Sequence, residues 1–513
     1  MANEKDNVIV QPQDNFSAGD FAFAQKDEKL TDVAIKTKKI GYFADAMYRF
    51  GQNKGSIVAA IILGLMIFFC ILTPFVTGYS VNESDDFYVD VLPKNSWFTG
   101  TGFWDGTHEE TIGNNYYLAY SDYGRVKSVL GTTVITTNND DGTVTTQTNY
   151  RVRIDTYEVG CKYKTFTLDE YEALKRYDDK LPEGEKIIQP QIDVTSWNAS
   201  WQASLRLAVR NAMKKDANLA YQISNANGTP LLDANGQLQH CYKVDANGNF
   251  IYYNVNGLSY DLRINWHRYY VFVHGHEPIF ILGSDNAGCD ILTRLAAGGR
   301  LSLTLGFSVA IINIILGVIY GAIEGYYGGT ADLVMERISE ILSEVPGIIV
   351  ISLFQIYLVS QHNVSPVISL FVAFIATGWI GTASTVRMQF YRYKNQDYVL
   401  AARTLGARDR QLIFRHIFPN SVGPLITSAV LMPPSVIFAE SSLSYLGIID
   451  FSTSNITSIG VMLNEGQKIY TAYPNVVLWP AIFISLLMIC FNIFGNGLRD
   501  AFNPQLRGAG ESA

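Results

Sequence analysis

The sequence predicts an α-helical membrane protein with six transmembrane helices and an α+β domain inserted between the first two. Three observations predict it. Apolar runs of membrane length recur, one near the start and five in the second half. A polar stretch of different composition separates the first from the rest. Lys and Arg gather in one loop between two of the later runs. The 513 residues, 48% hydrophobic and 17% charged, suffice for more than one domain. A formal net charge of −8 argues against general affinity for nucleic acid.

Residues 1–55 form a polar segment, far longer than the n-region of a signal peptide. The run Ser56–Val76 then carries no charge. About twenty such residues cross about 30 Å of hydrocarbon as a helix. A central charge would cost roughly 2.5–3.5 kcal/mol on insertion scales. We expect an uncleaved helix over 56–77, its start held in the cytoplasm by Arg49 and Lys54.

Residues 78–280 are expected to form a domain. Between Tyr79 and Phe280 there are 18 Lys/Arg against 25 Asp/Glu, a net −7 and nearly all of the chain's acidity. Residues 131–157 suggest a hairpin turning at Asp140-Asp141-Gly142, with Val152 and Ile154 alternating against Arg151, Arg153 and Asp155. Residues 201–215 suggest an amphipathic helix with Trp201, Leu205, Ala208 and Ala212 on one face. NANG (225–228), DANG (233–236 and 245–248) and NVNG (254–257) punctuate short strands. Calcium binding would need the spaced ligands and closing Glu of a calcium loop, which are missing. Asn-Gly turns at positive φ explain the pattern better.

Residues 281–500 resume the apolar pattern, with spans near Leu301–Tyr320, Ile341–Leu358, Val364–Thr385, Val422–Ala439 and Val476–Phe494. The loop 387–420 holds Arg387, Arg392, Lys394, Arg403, Arg408, Arg410 and Arg415 against Asp397 and Asp409. Positive charge marks a cytoplasmic loop. Gln361–Asn363 has no Lys or Arg and Ser441–Pro474 only Lys468, as expected outside. Six crossings then leave both termini cytoplasmic, including a tail at 501–513, and put the acidic domain outside. An external location permits a Cys161–Cys241 disulfide; the other cysteines, Cys70, Cys289 and Cys490, show no zinc-type spacing.

Several polar groups have two readings. Asp285, Asn286 and Asp290 resemble a metal cluster, but Asp290 precedes an apolar-periodic run and is expected to cap a helix. The HGHEP segment (His274, His276, Glu277) lacks a third spaced ligand, so no metal site is assigned. Glu336, Glu340 and Glu344 share one helix face. A proton path is one reading; a wet cytoplasmic helix end near the basic loop is the simpler one. Glu440 is expected at an interface. Pro433-Pro434 should break the fifth helix, a candidate pore-lining bend.

The basic loop contains Leu400-Ala401-Ala402, then Gly406-Ala407, then Ile417-Phe418-Pro419. Small residues let another surface approach a helix closely, Gly406 can end a short helix, and Pro419 suits the start of the next. This stretch resembles the coupling loop of ABC-importer permeases, with Leu400 in place of the usual Glu. LGSDNAGCDILTRLAAGGRLSL (282–303), GAIEGYYGG (321–329), MERISEILSEVPG (335–347), GWIGTASTVR (378–387), AESSLSYLGI (439–448) and FNIFGNGLRDAFNPQ (491–505) are similar to the C-subunit type of the oligopeptide and dipeptide branch. Cys289 stands where that branch has Arg, and Ser284 where it has Thr.

The resemblance implies the type I permease fold. It implies coupling through Ala401, Ala402, Gly406, Ala407 and Pro419 to two cytoplasmic ATPases, where ATP and Mg would reside. It also implies a homologous permease partner, an extracellular substrate-binding lipoprotein and a peptide substrate; variants carry nickel chelates or other small solutes. It does not cover most of 78–280. The chain itself is expected to need no cofactor and to catalyse nothing: GxxxxGK[ST], GxSxG and HExxH are all missing. A membrane-anchored external binding or adhesion protein is the competing class, but one helix would suffice for an anchor.

Overall fold

The computed structural model describes residues 42–81, 83–138, 144–194, 211–212, 215–223, 229–449, 451 and 456–502. Helix α1 (Tyr42–Gln52) leads into α2 (Lys54–Val76), which starts where the Asn53 side chain accepts the Ser56 N–H. No charge follows Lys54 in α2, so every turn can meet lipid or protein.

The inserted region begins with an antiparallel sheet in the order β1 (Thr107–Gly113), β3 (Val144–Asp155), β2 (Val126–Asn138), covered by α3 (Asn114–Asp122). Val152 and Ile154 are fully buried, while Arg151 and Arg153 reach Glu109 at 3.4 and 3.7 Å. The period-2 pattern thus sorts core from rim. Asn138 pairs with Val144 across the hairpin; the turn 140–142 lies outside the described residues. A second sheet places β7 (Ser259–Asn265) centrally, against β4 (Cys161–Thr167), β5 (Ile188–Gln189) and β6 (Tyr253–Asn256). Helix α4 (Leu168–Asp178) opens with a Thr167/Glu170 capping box, and α5 (Trp266–His274) with Asn265 as cap.

The DANG segments are turns. Asp233 accepts the N–H groups of Asn235 and Gln237, and Asp245 those of Asn247 and Asn249. Gly236, Gly248 and Gly257 have φ of +79, +86 and +67°, the conformation that favours Asn-Gly there. NANG (225–228) and most of the expected 201–215 helix lie outside the described residues.

Aromatic packing consolidates this region and reaches the last helix. Tyr88, Tyr157, Tyr270 and Phe280 form one buried cluster. The Tyr157 hydroxyl donates to Leu92 O at 3.1 Å and accepts the Phe280 N–H at 3.3 Å. Trp104 lies 5.6 Å from Trp479 of the last helix.

The core follows as α6 (Ile291–Tyr327), α7 (Gly329–Ser343), α8 (Gly347–Phe354, continued by a wider turn to Gln361), α9 (Pro366–Gly378), α10 (Ile380–Lys394), α11 (Asp397–Thr404), α12 (Phe418–Tyr445), α13 (Ile459–Gln467) and α14 (Asn475–Phe502). Among the described residues, five stretches are long and apolar enough to cross a membrane: Lys54–Val76, Ile291–Tyr327, Pro366–Lys394, Asp409–Tyr445 and Asn475–Phe502. The span expected at Ile341–Leu358 is instead part of a bent pair. Gly329–Ser343 and Gly347–Gln361 meet at 75°, and counting them as one span gives up to six among the described residues. The bend falls at Pro346, which disfavours helical backbone in the residue before it.

Pro433 and Pro434 do not break their helix; α12 runs through both, and both are buried. Gly306 of α6 lies against this segment: a Cβ there would sit 3.1 Å from Pro433 O and 2.7 Å from Ile437 Cγ1, so α6 packs tight against the prolines.

Cys161 and Cys241 are both free and buried. Burial raises both thiols, Cys241 to about 12. A thiol assay in non-reducing denaturant should therefore count five free cysteines, and almost none in the folded protein. A count of three would mean that Cys161 and Cys241 are bonded.

Candidate functional site

The basic loop is seated by close contact between α6 and α10. Gly317, Gly321 and Gly325 recur every fourth residue along α6, hence along one face. A Cβ on Gly321 would lie 2.2 Å from Ala383 O, and one on Gly325 2.8 Å from Arg387 O. Only glycine permits that approach.

The contact delivers Arg387 to three carboxylates. Its Nε and a terminal nitrogen grip Asp332 at 2.6 and 3.1 Å. Glu336 lies at 2.8 Å and Glu324 at 3.4 Å. Tyr391 donates to Asp332, and Lys394 to Gly325 O at 3.0 Å. A partly buried guanidinium is costly unless its donors are met, and here its fork is filled. Glu336 thus faces the first residue of the basic loop. Glu340 pairs with Arg337 on the exposed face of α7.

Helix α11 hangs from this seat by one side. Val399 has 0% exposure and packs with Phe390, Leu412 and Ile417, with Ala402 and Ala407 half-buried beside it. The Tyr326 hydroxyl donates to Asp409 at 2.6 Å and fixes the loop's far end. Leu405 N–H bonds Ala401 O and Ala407 N–H bonds Ala402 O. Gly406 then turns the chain with φ +85° and open space around it.

The other side of α11 is exposed among the described residues. Ala401, Gly406, Arg403, Arg408 and Arg410 are exposed, as is Leu400. Leu405 is 88% exposed, which leaves a leucine standing among arginines. It was missed in the sequence, although an αL glycine cap pushes out the residue before it. Pro419 is exposed at the start of α12. It stands one residue beyond a π turn, Leu412–Ile417; the wider turn eases the clash with the carbonyl four residues back.

The remaining candidates are structural. Asp290 caps α6, accepting the Thr293 N–H at 2.9 Å. Asp285 accepts the N–H groups of Ala287 and Cys289 and pairs with Arg294, which also reaches Glu465 at 3.0 Å. Glu277 bonds His267 at 2.9 Å, and His274 stacks on Tyr270. Among the described residues no group of three or more His, Cys, Asp or Glu could hold a metal ion. Glu440 is not interfacial: it is 1% exposed and accepts from Ser302, Ser444 and Ser441 at 2.8, 3.1 and 3.3 Å. These hydroxyls, one from α6, satisfy a carboxyl inside the helix packing.

Comparison with known proteins places the chain in a transport family. Residues 313–508 match the family described as binding-protein-dependent transport system inner membrane component. Residues 41–93 match the N-terminal transmembrane domain of oligopeptide transport permease C. An oligopeptide transport system permease protein of Bacillus subtilis is 40% identical over 225 residues, 44% of this chain and 72% of that one. A dipeptide transport system permease protein of the same organism is 40% identical over 226 residues, 44% and 68% of the two chains. An inward-facing structure of the MetNI methionine ABC transporter aligns with 41% of this chain and 96% of that one, at a TM-score of 0.33 and 14% identity.

The α6–α10 seam gives a direct test. Gly321→Val should destabilise the detergent-solubilised protein by about 1–3 kcal/mol through overpacking. Gly381→Ala, where a Cβ meets nothing within 4 Å, should be neutral or stabilising by about 0.5–1 kcal/mol. Equal melting temperatures for the two variants would refute the seam.

Proposed function

Since the chain belongs to the oligopeptide and dipeptide transport permeases of the C type, we propose that it is one of the two permease subunits of an ATP-driven peptide importer. It pairs with a homologous permease to line the path. Two cytoplasmic ATPases, carrying ATP and Mg, dock on the 397–419 loop. Both termini lie in the cytoplasm. The inserted domain, 78–280, faces the outside, where a substrate-binding lipoprotein delivers oligopeptides or dipeptides.

The observation that carries the reading is the exposed side of α11. An apolar residue among arginines, on a short helix with small residues, suits a groove on an acidic-rimmed partner. The inner side is rigidly joined to α6, α7 and α10 through Val399, Asp409 and the Arg387 cluster. Movement of an ATPase against α11 therefore pulls on the membrane helices themselves. Leu400, in place of an acid, makes this contact less ionic. The domain outside sits at the membrane-helix ends through Trp104 and Trp479, a position from which it can steady the lipoprotein.

The test is reconstitution with the partner permease and both ATPases, reading peptide-stimulated ATP hydrolysis. Leu405→Asp should weaken ATPase association by roughly tenfold or more, about 1.4 kcal/mol or more, with membrane levels unchanged. Full uptake by that variant would remove α11 from the coupling path.

A further inference from the structure

A cavity of about 310 Å³ lies where the inserted region meets the segment leading into α14. Asp90, Arg125 ahead of β2, Lys162 of β4, and Lys215 and Asp216 line it from the inserted region; Tyr473 closes it from the core. Three cations and two carboxylates thus share a space at the small end of ordinary ligand pockets.

These charges are not joined in ion pairs, although Asp216 lies close enough to act on Lys162. Among the described residues, no ion pair joins Asp90, Arg125 or Lys162 to anything. Arg125 instead lies over the Tyr120 ring at 4.7 Å, and Lys162 over Phe87 at 4.9 Å. Asp90 Oδ1 and Arg125 Nε are both shut off from solvent and have no hydrogen-bond partner. Native structures rarely leave such atoms unmet. Asp90 also holds φ +55°, a left-handed conformation sparsely used by residues other than glycine and enriched at binding sites.

An anion alone would satisfy the arginine and leave the aspartate worse off; a cation alone would do the reverse. We propose that the cavity binds a small zwitterion, a free amino acid or short unblocked peptide, with its carboxylate on Arg125 and Lys162 and its ammonium on Asp90. Burial raises the Asp90 carboxyl, with Asp285 adding to the effect, and burial lowers the Lys162 amine. Asp90 lacks the opposite charge that such a ligand brings, while Asp216 partly offsets the lowering at Lys162. Tyr473 makes the core one wall, so occupancy would stiffen the junction. The site does not depend on the import assignment, since binding needs neither ATP nor an ATPase.

The experiment is calorimetric titration of the purified full chain with glycine, glycylglycine, N-acetyl-glycylglycine, glycylglycine amide and inorganic phosphate. At least one unblocked zwitterion should saturate, and the stronger of glycine and glycylglycine reports the span. Blocking either end should weaken binding by roughly tenfold or more. Asp90→Asn and Arg125→Gln should each abolish it, and Arg125→Lys should restore part. If a variant fails to fold, the blocked ligands on the unaltered protein still decide. Phosphate binding as tightly as the zwitterions, or no saturation by either zwitterion, would overturn the proposal.

Discussion

The structure depends on how closely α10 lies against α6. Three glycines on one face of α6 let the α10 backbone come within contact distance, and everything beyond α10 is placed by that approach. It sets Arg387 among Asp332, Glu336 and Glu324, so one guanidinium ties α6, α7 and α10 together at their loop ends. It also sets Phe390 where Val399 can cover it, which fixes α11 from its inner side. The exposed side of α11 is free for a partner because its other side is so fully used.

The far end is organised by polar groups that serve the packing. Asp290 caps α6, Asp285 and Glu465 hold Arg294, and Glu440 is enclosed by serines. Buried carboxyls are tolerated there because each has its donors. The inserted region meets this end through Trp104, packed against Trp479, while its own tyrosine cluster buries area and bonds the backbone within it. The cavity at that junction differs: among the described residues, Asp90, Arg125 and Lys162 line it without ion pairs.

What was legible in the sequence was local. The α2 span, the Asp290 cap, the Asn-Gly turns and the alternating strand around Val152 each depend on neighbours within a few residues. Gly406 was legible for the same reason. What was not legible depends on partners far along the chain. The burial of Glu440 needs Ser302, over a hundred residues away. The close packing of Pro433 against α6 needs Gly306, over a hundred residues away. The bend at Pro346 turned an apolar run that looked like a simple crossing into a bent pair, because hydropathy records length and not direction. Arg387 counted only as one positive charge among seven until α7 brought its carboxylates.

The central claim is that Leu405 and the inserted region lie on opposite sides of the membrane, with Leu405 facing the ATPases. The five native cysteines are buried, so the background for thiol labelling is low. In intact cells, a membrane-impermeant maleimide should label Leu258→Cys, at a residue 95% exposed in the inserted region, and should not label Leu405→Cys until the membrane is opened. Labelling of Leu405→Cys from outside, or equal labelling of both positions, would contradict the account.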